Sequence, residues 1–171
     1  PAGNLIIGTT TAATAAGLTT SKTISLNTTT ASNSIYASQS VANPVILNGA
    51  ITRIAASTSA ALILGGTSTV DNIINVAIPG GGTVVGGVTK LGAGTWVLNA
   101  ANAYTGATTI QAGTLKLRAT AGASDVVGTA GTNTVVFSAD TVTQTAGGNL
   151  EFRGFLNTAT TETLGALTPT A

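Results

Sequence analysis

Cysteine, histidine and methionine are all missing from the 171 residues. Without Cys the chain has neither a disulfide nor a thiol nucleophile. Without His it also lacks the commonest acid/base near neutral pH and the usual zinc ligand. Charge is scarce too: charged residues are 6% of the chain, against about a quarter in ordinary globular domains. Six basic and five acidic side chains leave a formal net charge of +1, too little to hold a phosphate backbone or an anionic membrane by counterion release. Aromatics are 4% and are not interleaved with the basic residues, so no nucleic-acid surface is expected. No apolar run approaches the roughly 18 residues of a membrane-spanning helix. The richest stretches, 60–64 and 73–78, are strand-sized. Most hydrolytic and redox chemistry is excluded by these absences, and so is a helical transmembrane segment.

Hydrophobic residues nevertheless make up 43% of the chain, and high hydrophobicity with little charge is the opposite of what keeps a chain disordered. A polypeptide of this length can bury a real core. The apolar residues come in short triplets: Leu5-Ile6-Ile7, Ile24-Ser25-Leu26, Val45-Ile46-Leu47, Leu62-Ile63-Leu64, Trp96-Val97-Leu98, Leu115-Lys116-Leu117, Val135-Val136-Phe137 and Leu150-Glu151-Phe152. In an extended strand the first and third side chains share a face. Gly, Asn, Thr and Ser flank the triplets and supply turns. No apolar helical period persists; the nearest candidate, 12–16, is interrupted by Thr14 and ends at Gly17. The chain reads as all-β.

Short strands of this kind fit an antiparallel sandwich or barrel, or a parallel β-helix. The triplet starts are separated by 19, 21, 17, 34, 19, 20 and 15 residues, and recurrence near twenty favours the β-helix. That period predicts roughly eight coils stacked at the usual strand spacing. Residues 1–171 are expected to form a single β-solenoid module. The opening Pro1, with no initiator Met and no leader, reads as a processed product or a segment of a longer exported protein.

One segment carries more. Residues 86–117 contain Lys90-Leu91-Gly92-Ala93-Gly94-Thr95, the strand Trp96 to Leu98, a turn Asn102-Ala103-Tyr104-Thr105-Gly106, then Thr108-Thr109-Ile110 and Ala112-Gly113-Thr114-Leu115 before Leu117. This closely resembles the autotransporter-associated β-strand repeat, also called the passenger-associated transport repeat. Trp96 stands where that repeat usually has Leu, and Ala100 where Gly is common. Residues 147–167 look like the coil that often follows such repeats in long bacterial surface proteins. The resemblance implies a right-handed parallel β-helix in an exported passenger, placed at the cell surface or outside a bacterial cell.

The motif residues have a physical reading of their own. Gly92, Gly94, Gly106 and Gly113 suit turns where a Cβ would clash, and Asn102 can occupy a corner and cap backbone amides. Tyr104 is expected to lie over a corner with its hydroxyl in water. Lys22, Lys90, Lys116, Arg53, Arg118 and Arg153 are expected to keep exposed faces soluble.

Catalysis by a β-helix would require converging carboxylates. The acids are Asp71, Asp125, Asp140, Glu151 and Glu162; at a period of twenty the last part of the chain allows a loose acidic stripe, but solvated turn acids are the plainer reading. Gly80-Gly81-Gly82 makes neither a calcium repeat nor a phosphate loop, since no Asp and no Gly-Lys-Ser/Thr accompany it. No catalytic residue, cofactor or metal site is expected. The expected role is a structural solenoid of a bacterial extracellular fibre or surface stalk, associating with itself or with neighbouring repeats. The alternative is an adhesin segment that binds glycans or cell surfaces. A glycan-binding flank would need exposed aromatics, and Tyr36, Tyr104, Trp96 and Phe155 are the candidates.

Overall fold

The computed structural model describes residues 4–7, 17–26, 33–37, 44–53, 61–80, 86–118, 126, 133–138, 147–154, 162 and 165–169, with only the backbone described for 4–7, Tyr36, Arg53 and Pro169. Every regular element among them is a strand, and every pairing is parallel. The first sheet holds β1 (Asn4–Ile7), β4 (Asn33–Ala37), β7 (Leu62–Gly65), β9 (Val88–Lys90), β11 (Thr108–Ile110), β13 (Val135–Phe137) and β15 (Leu167–Pro169), in that order. The second holds β2 (Leu18–Thr20), β5 (Val45–Leu47), β8 (Asn72–Ile74), β10 (Thr95–Leu98), β12 (Gly113–Arg118) and β14 (Gly148–Arg153). A third pairs β3 (Ile24–Leu26) with β6 (Ile51–Arg53). The chain visits all three sheets in rotation through β6 and then alternates between the first two, adding one strand to each of those two per turn. It is a parallel β-helix.

The rungs are longer and less regular than a period of twenty. Register in the first sheet matches Asn4 with Ser34, Asn33 with Leu62, Leu62 with Val88, Val88 with Thr108, Thr108 with Val135, and Val135 with Leu167. Only the rung that begins at Val88 spans twenty residues, and among the described residues seven strands stand in this sheet. The apparent period arose because consecutive triplets sit on different faces: Leu5 is in the first sheet, Ile24 in the third, Val45 in the second and Leu62 in the first again. Among adjacent triplets, Trp96 and Leu115 are the pair stacked directly on one another. Strands of three to six residues are set by the width of the faces, whereas the loops between them vary freely.

Strand alternation builds four inward columns. In the first sheet they run Asn33, Leu62, Val88, Thr108, Val135, Leu167 and Ile35, Leu64, Lys90, Ile110, Phe137; in the second, Leu18, Val45, Asn72, Trp96, Leu115, Leu150 and Thr20, Leu47, Ile74, Leu98, Leu117, Phe152. Their middle members form one buried core, with Leu47, Leu62, Leu64, Ile74, Val88, Ile110 and Leu115 fully excluded from water. Leu26 and Leu117 are buried as well, and Ile24 packs against the core half-buried. Towards the terminal rungs the same columns open: Leu18 is 43% exposed, Phe152 44% and Leu167 60%. The side chains of Leu5 and Ile7, expected in this core, lie outside those described.

Leu115 lies between Trp96 below and Leu150 above. Truncation to Ala in so narrow a core leaves a cavity its neighbours cannot fill, and Leu115→Ala should cost roughly 2 to 5 kcal/mol. Chemical denaturation measures this; an unchanged midpoint would place Leu115 outside the stabilising core.

Candidate functional site

The densest set of buried polar groups lies at the corners of the rung beginning at β9, the fourth. Lys90 shares a face with Val88 by strand alternation, which places it in an apolar column between Leu64 and Ile110. It is fully buried, not the solvated lysine expected from its type. Its Nζ donates to Leu91 O at 2.7 Å, Gly92 O at 2.6 Å and Ala112 O at 2.9 Å. An ammonium has three N–H donors and no acceptor, so three carbonyls satisfy it completely. The first two belong to its own corner, and the third belongs to the corner of the next rung.

Gly92 and Gly113 occupy equivalent corners, with φ of +66° and +67°. A Cβ on Gly113 would stand 2.4 Å from both Gly92 O and Gly94 O and 2.7 Å from Lys90 Nζ. Two conditions therefore require glycine here, the left-handed backbone and the closeness of the lysine cage. Gly94 and Gly106 are pressed against the preceding rung's backbone, at Ser68 O and at Gly86 respectively.

Trp96 is fully buried, and its Nε1 donates to Gly65 O at 2.9 Å, one rung back. Leu98 closes the same strand in the core. Lys90 thus reaches forward to the fifth rung while Trp96 reaches back to the third. Asn102 does both: its Oδ1 accepts from Ile78 N at 2.7 Å, and its Nδ2 donates to Ala100 O at 3.0 Å and to Val126 O. Asn72, which sequence reading passed over, repeats the geometry. Its Oδ1 accepts from Val45 N at 3.0 Å, and its Nδ2 donates to Val70 O at 3.1 Å, Ser68 O at 3.3 Å and Thr95 O at 2.8 Å. The signal for Asn72 was its parity with Ile74, which marks it as an inward polar residue that needs backbone partners.

Tyr104 is buried, contrary to the expectation of a wet hydroxyl. Its hydroxyl is 2.9 Å from Thr108 Oγ1, which donates to Asn133 Oδ1 at 2.8 Å, and Asn133 Nδ2 returns to Gly106 O. Burial drives the phenol pKa far above its ordinary value of 10.0; the Thr108 bond opposes the shift and Glu162 adds to it. With Trp96 and Tyr104 enclosed, neither is available to a glycan. Tyr36's side chain and Phe155 lie outside the described residues.

The three described acids do not gather at one site. Glu162 Oε2 accepts from Val126 N at 2.6 Å, a backbone cap. Asp71 and Glu151 are engaged by cations on the outer face of the second sheet: Lys116 at 2.7 Å and Arg118 at 3.0 Å from Asp71, and Arg153 at 2.5 Å and Lys116 at 3.9 Å from Glu151. Asp125 and Asp140 lie outside the described residues, and among those described no group of three acids gathers as a metal site would require. Among the described residues no helix is long and apolar enough to cross a membrane.

Lys90→Met keeps the stem but leaves three carbonyls without donors. We expect a loss of at least about 2 kcal/mol, because each buried unpaired group costs roughly 1 to 3 kcal/mol; a denaturation midpoint equal to the parent's would reject the cage as a stabilising element. Tyr104 gives a pH-dependent counterpart. Its folded pKa is raised, so its contribution is complete below the unfolded value of 10.0 and declines as pH rises above it. The stability difference between the parent and Tyr104→Phe should therefore be constant at neutral pH and shrink above about pH 10; a difference that grows there would contradict the burial.

Residues 88–117 match the family model of the passenger-associated-transport-repeat. No curated protein and no solved structure matches the chain. The matched segment runs from the first residue of β9 to Leu117 in β12, so it comprises the fourth rung and the first two strands of the fifth. Lysine cage, corner glycines, indole staple and asparagine plug all fall inside it, and the chain is a parallel β-helix that carries a passenger-associated transport repeat at its shortest rung.

Proposed function

We propose that this chain is a non-enzymatic, rod-forming module of a bacterial extracellular fibre or surface stalk, belonging to an autotransporter passenger-associated region. The observation that supports this most is the course of the inward columns, which run from rung to rung and are open at Leu18 on one side and at Phe152 and Leu167 on the other. A terminal rung of this kind offers unpaired strand edges and uncovered apolar side chains together. The same surface accepts another rung of the same polypeptide or the opposite end of a second copy. Leu150 and Leu18 are the end members of one column, so stacked copies would continue it apolar against apolar. Such a contact is heterologous and repeats without closing. Of the acids, the described Glu162 serves as a backbone cap and Asp71 and Glu151 as ion-pair partners, and the repeat family is structural rather than enzymatic.

Sedimentation velocity on the isolated module tests the reading. Concentration-dependent growth that persists from low to molar salt is expected, because strand edges and apolar contacts are little screened. A strict monomer at high concentration would reject end-to-end association, and assemblies that dissolve steeply with salt would reject this mechanism for it.

A further inference from the structure

The outer face of the second sheet carries an arrangement that neither the repeat nor the rod reading uses. Five charged side chains meet there: Asp71, Lys116, Arg118, Glu151 and Arg153. Their connectivity skips a rung. Asp71 directly precedes β8 in the third rung, while Lys116 and Arg118 belong to β12 in the fifth, and β10 of the fourth rung lies between them. Asp71 Oδ1 receives Lys116 at 2.7 Å and its Oδ2 receives Arg118 at 3.0 Å, so both carboxylate oxygens are held by cations two rungs away.

On β10 of the fourth rung, Val97 stands beside Lys116. It alternates with Trp96 and Leu98, which enter the core, so it points outward; yet it is fully buried and stands outside the core cluster. To reach Asp71, Lys116 spans the fourth rung diagonally, from beside Val97 toward the Thr95 end of β10. One column farther out, Asn99 Nδ2 donates to Asn75 Oδ1 at 2.7 Å and Asn75 Nδ2 to Asn48 Oδ1 at 2.8 Å, a ladder that ties the fourth rung to those below.

We infer that the strap from Asp71 to Lys116 and Arg118 is an ionic lock that clamps the fourth rung between its neighbours and sets how readily that rung opens. A rung of a solenoid detaches only when the ladders above and below it part. A bridge from the third rung to the fifth opposes both separations at once, without bonding to the rung it retains. The side chains of Lys116 and Asp71 are 19% and 34% exposed, so the lock is weakened by salt while the ladders and the apolar core are not.

Hydrogen exchange on the full chain tests this by local readout. In Asp71→Asn, and in the parent at about 1 M NaCl where the screening length is about 3 Å, the amides of Trp96, Val97 and Leu98 should exchange roughly five-fold faster, with those of Ile35 and Leu47 unchanged. The variant should show no further response to salt. Acceleration confined to residues 70–74, or spread equally over all rungs, would overturn the lock, and so would rung-four amides indifferent to salt in the parent. Should Asp71→Asn fail to fold, the parent's salt series decides alone, with Lys116→Met/Arg118→Met as the second variant.

Discussion

Corners are the constraint on which this molecule depends. Along its faces each strand satisfies the backbone of its neighbours through the parallel ladder, but where the chain bends from one sheet into the next the amides and carbonyls turn away from that register. Buried polar backbone must still be paired. A chain with no Cys, no His and very few charges has little with which to do it, and it uses long inward side chains that end in donors. Lys90 brings three N–H groups to two corners, Trp96 brings one to the corner below, and Asn72 and Asn102 each accept an amide from one rung and donate to carbonyls of the next. The polar residues in the core are the fasteners between rungs.

That arrangement accounts for what could and could not be read from the chain. Same-face alternation in the triplets was legible because it is a property of an extended backbone alone, and Leu62, Leu64, Leu115 and Leu117 follow it into the core. The position of Lys90 is equally legible by parity with Val88, although its side-chain type alone points to the surface. A lysine is an ordinary inward residue wherever three carbonyls converge. The rung length was not legible from the triplets, since Leu5, Ile24 and Val45 belong to three different faces and their even spacing measures loops as much as coils. Asp71 and its partners lie 45 and 47 residues away in sequence. No fixed period reveals that pairing when rungs differ in length.

Scarcity of charge takes on a different meaning once register is known. Eleven charged side chains scattered over a rod would do little more than keep it soluble, as surface ion pairs are individually worth about 0 to 1 kcal/mol. Here five of them are concentrated on one outer face and one is enclosed. Desolvating Lys90 is costly and is offset only because its partners are fixed carbonyls with no freedom to lose. The exposed cluster acts across rungs instead, where connection rather than net energy matters. Thr and Ala serve the remaining positions, since a narrow bore filled by stacked small and branched side chains leaves little room for rings; Trp96 fits where Asn72 stands below it and the Gly65 carbonyl receives its N–H.

Loop length explains why one rung alone is recognisable as a repeat. The fasteners act at corners and do not depend on how much chain joins one face to another, so rungs matched at Asn33 and Leu62 or at Val135 and Leu167 differ in length while their ladders stay in parallel register. Each excursion shifts the sequence spacing between corner residues and erases the pattern. At the rung from Val88 to Thr108 the loops are shortest, and Lys90, Gly92, Trp96, Asn102 and Gly113 stand at separations dictated by the fold alone. A motif is legible where short connections keep the corner residues at fold-set separations. The matched segment 88–117 therefore coincides with the shortest rung, and the neighbouring rungs share its parallel ladder but not its spacing.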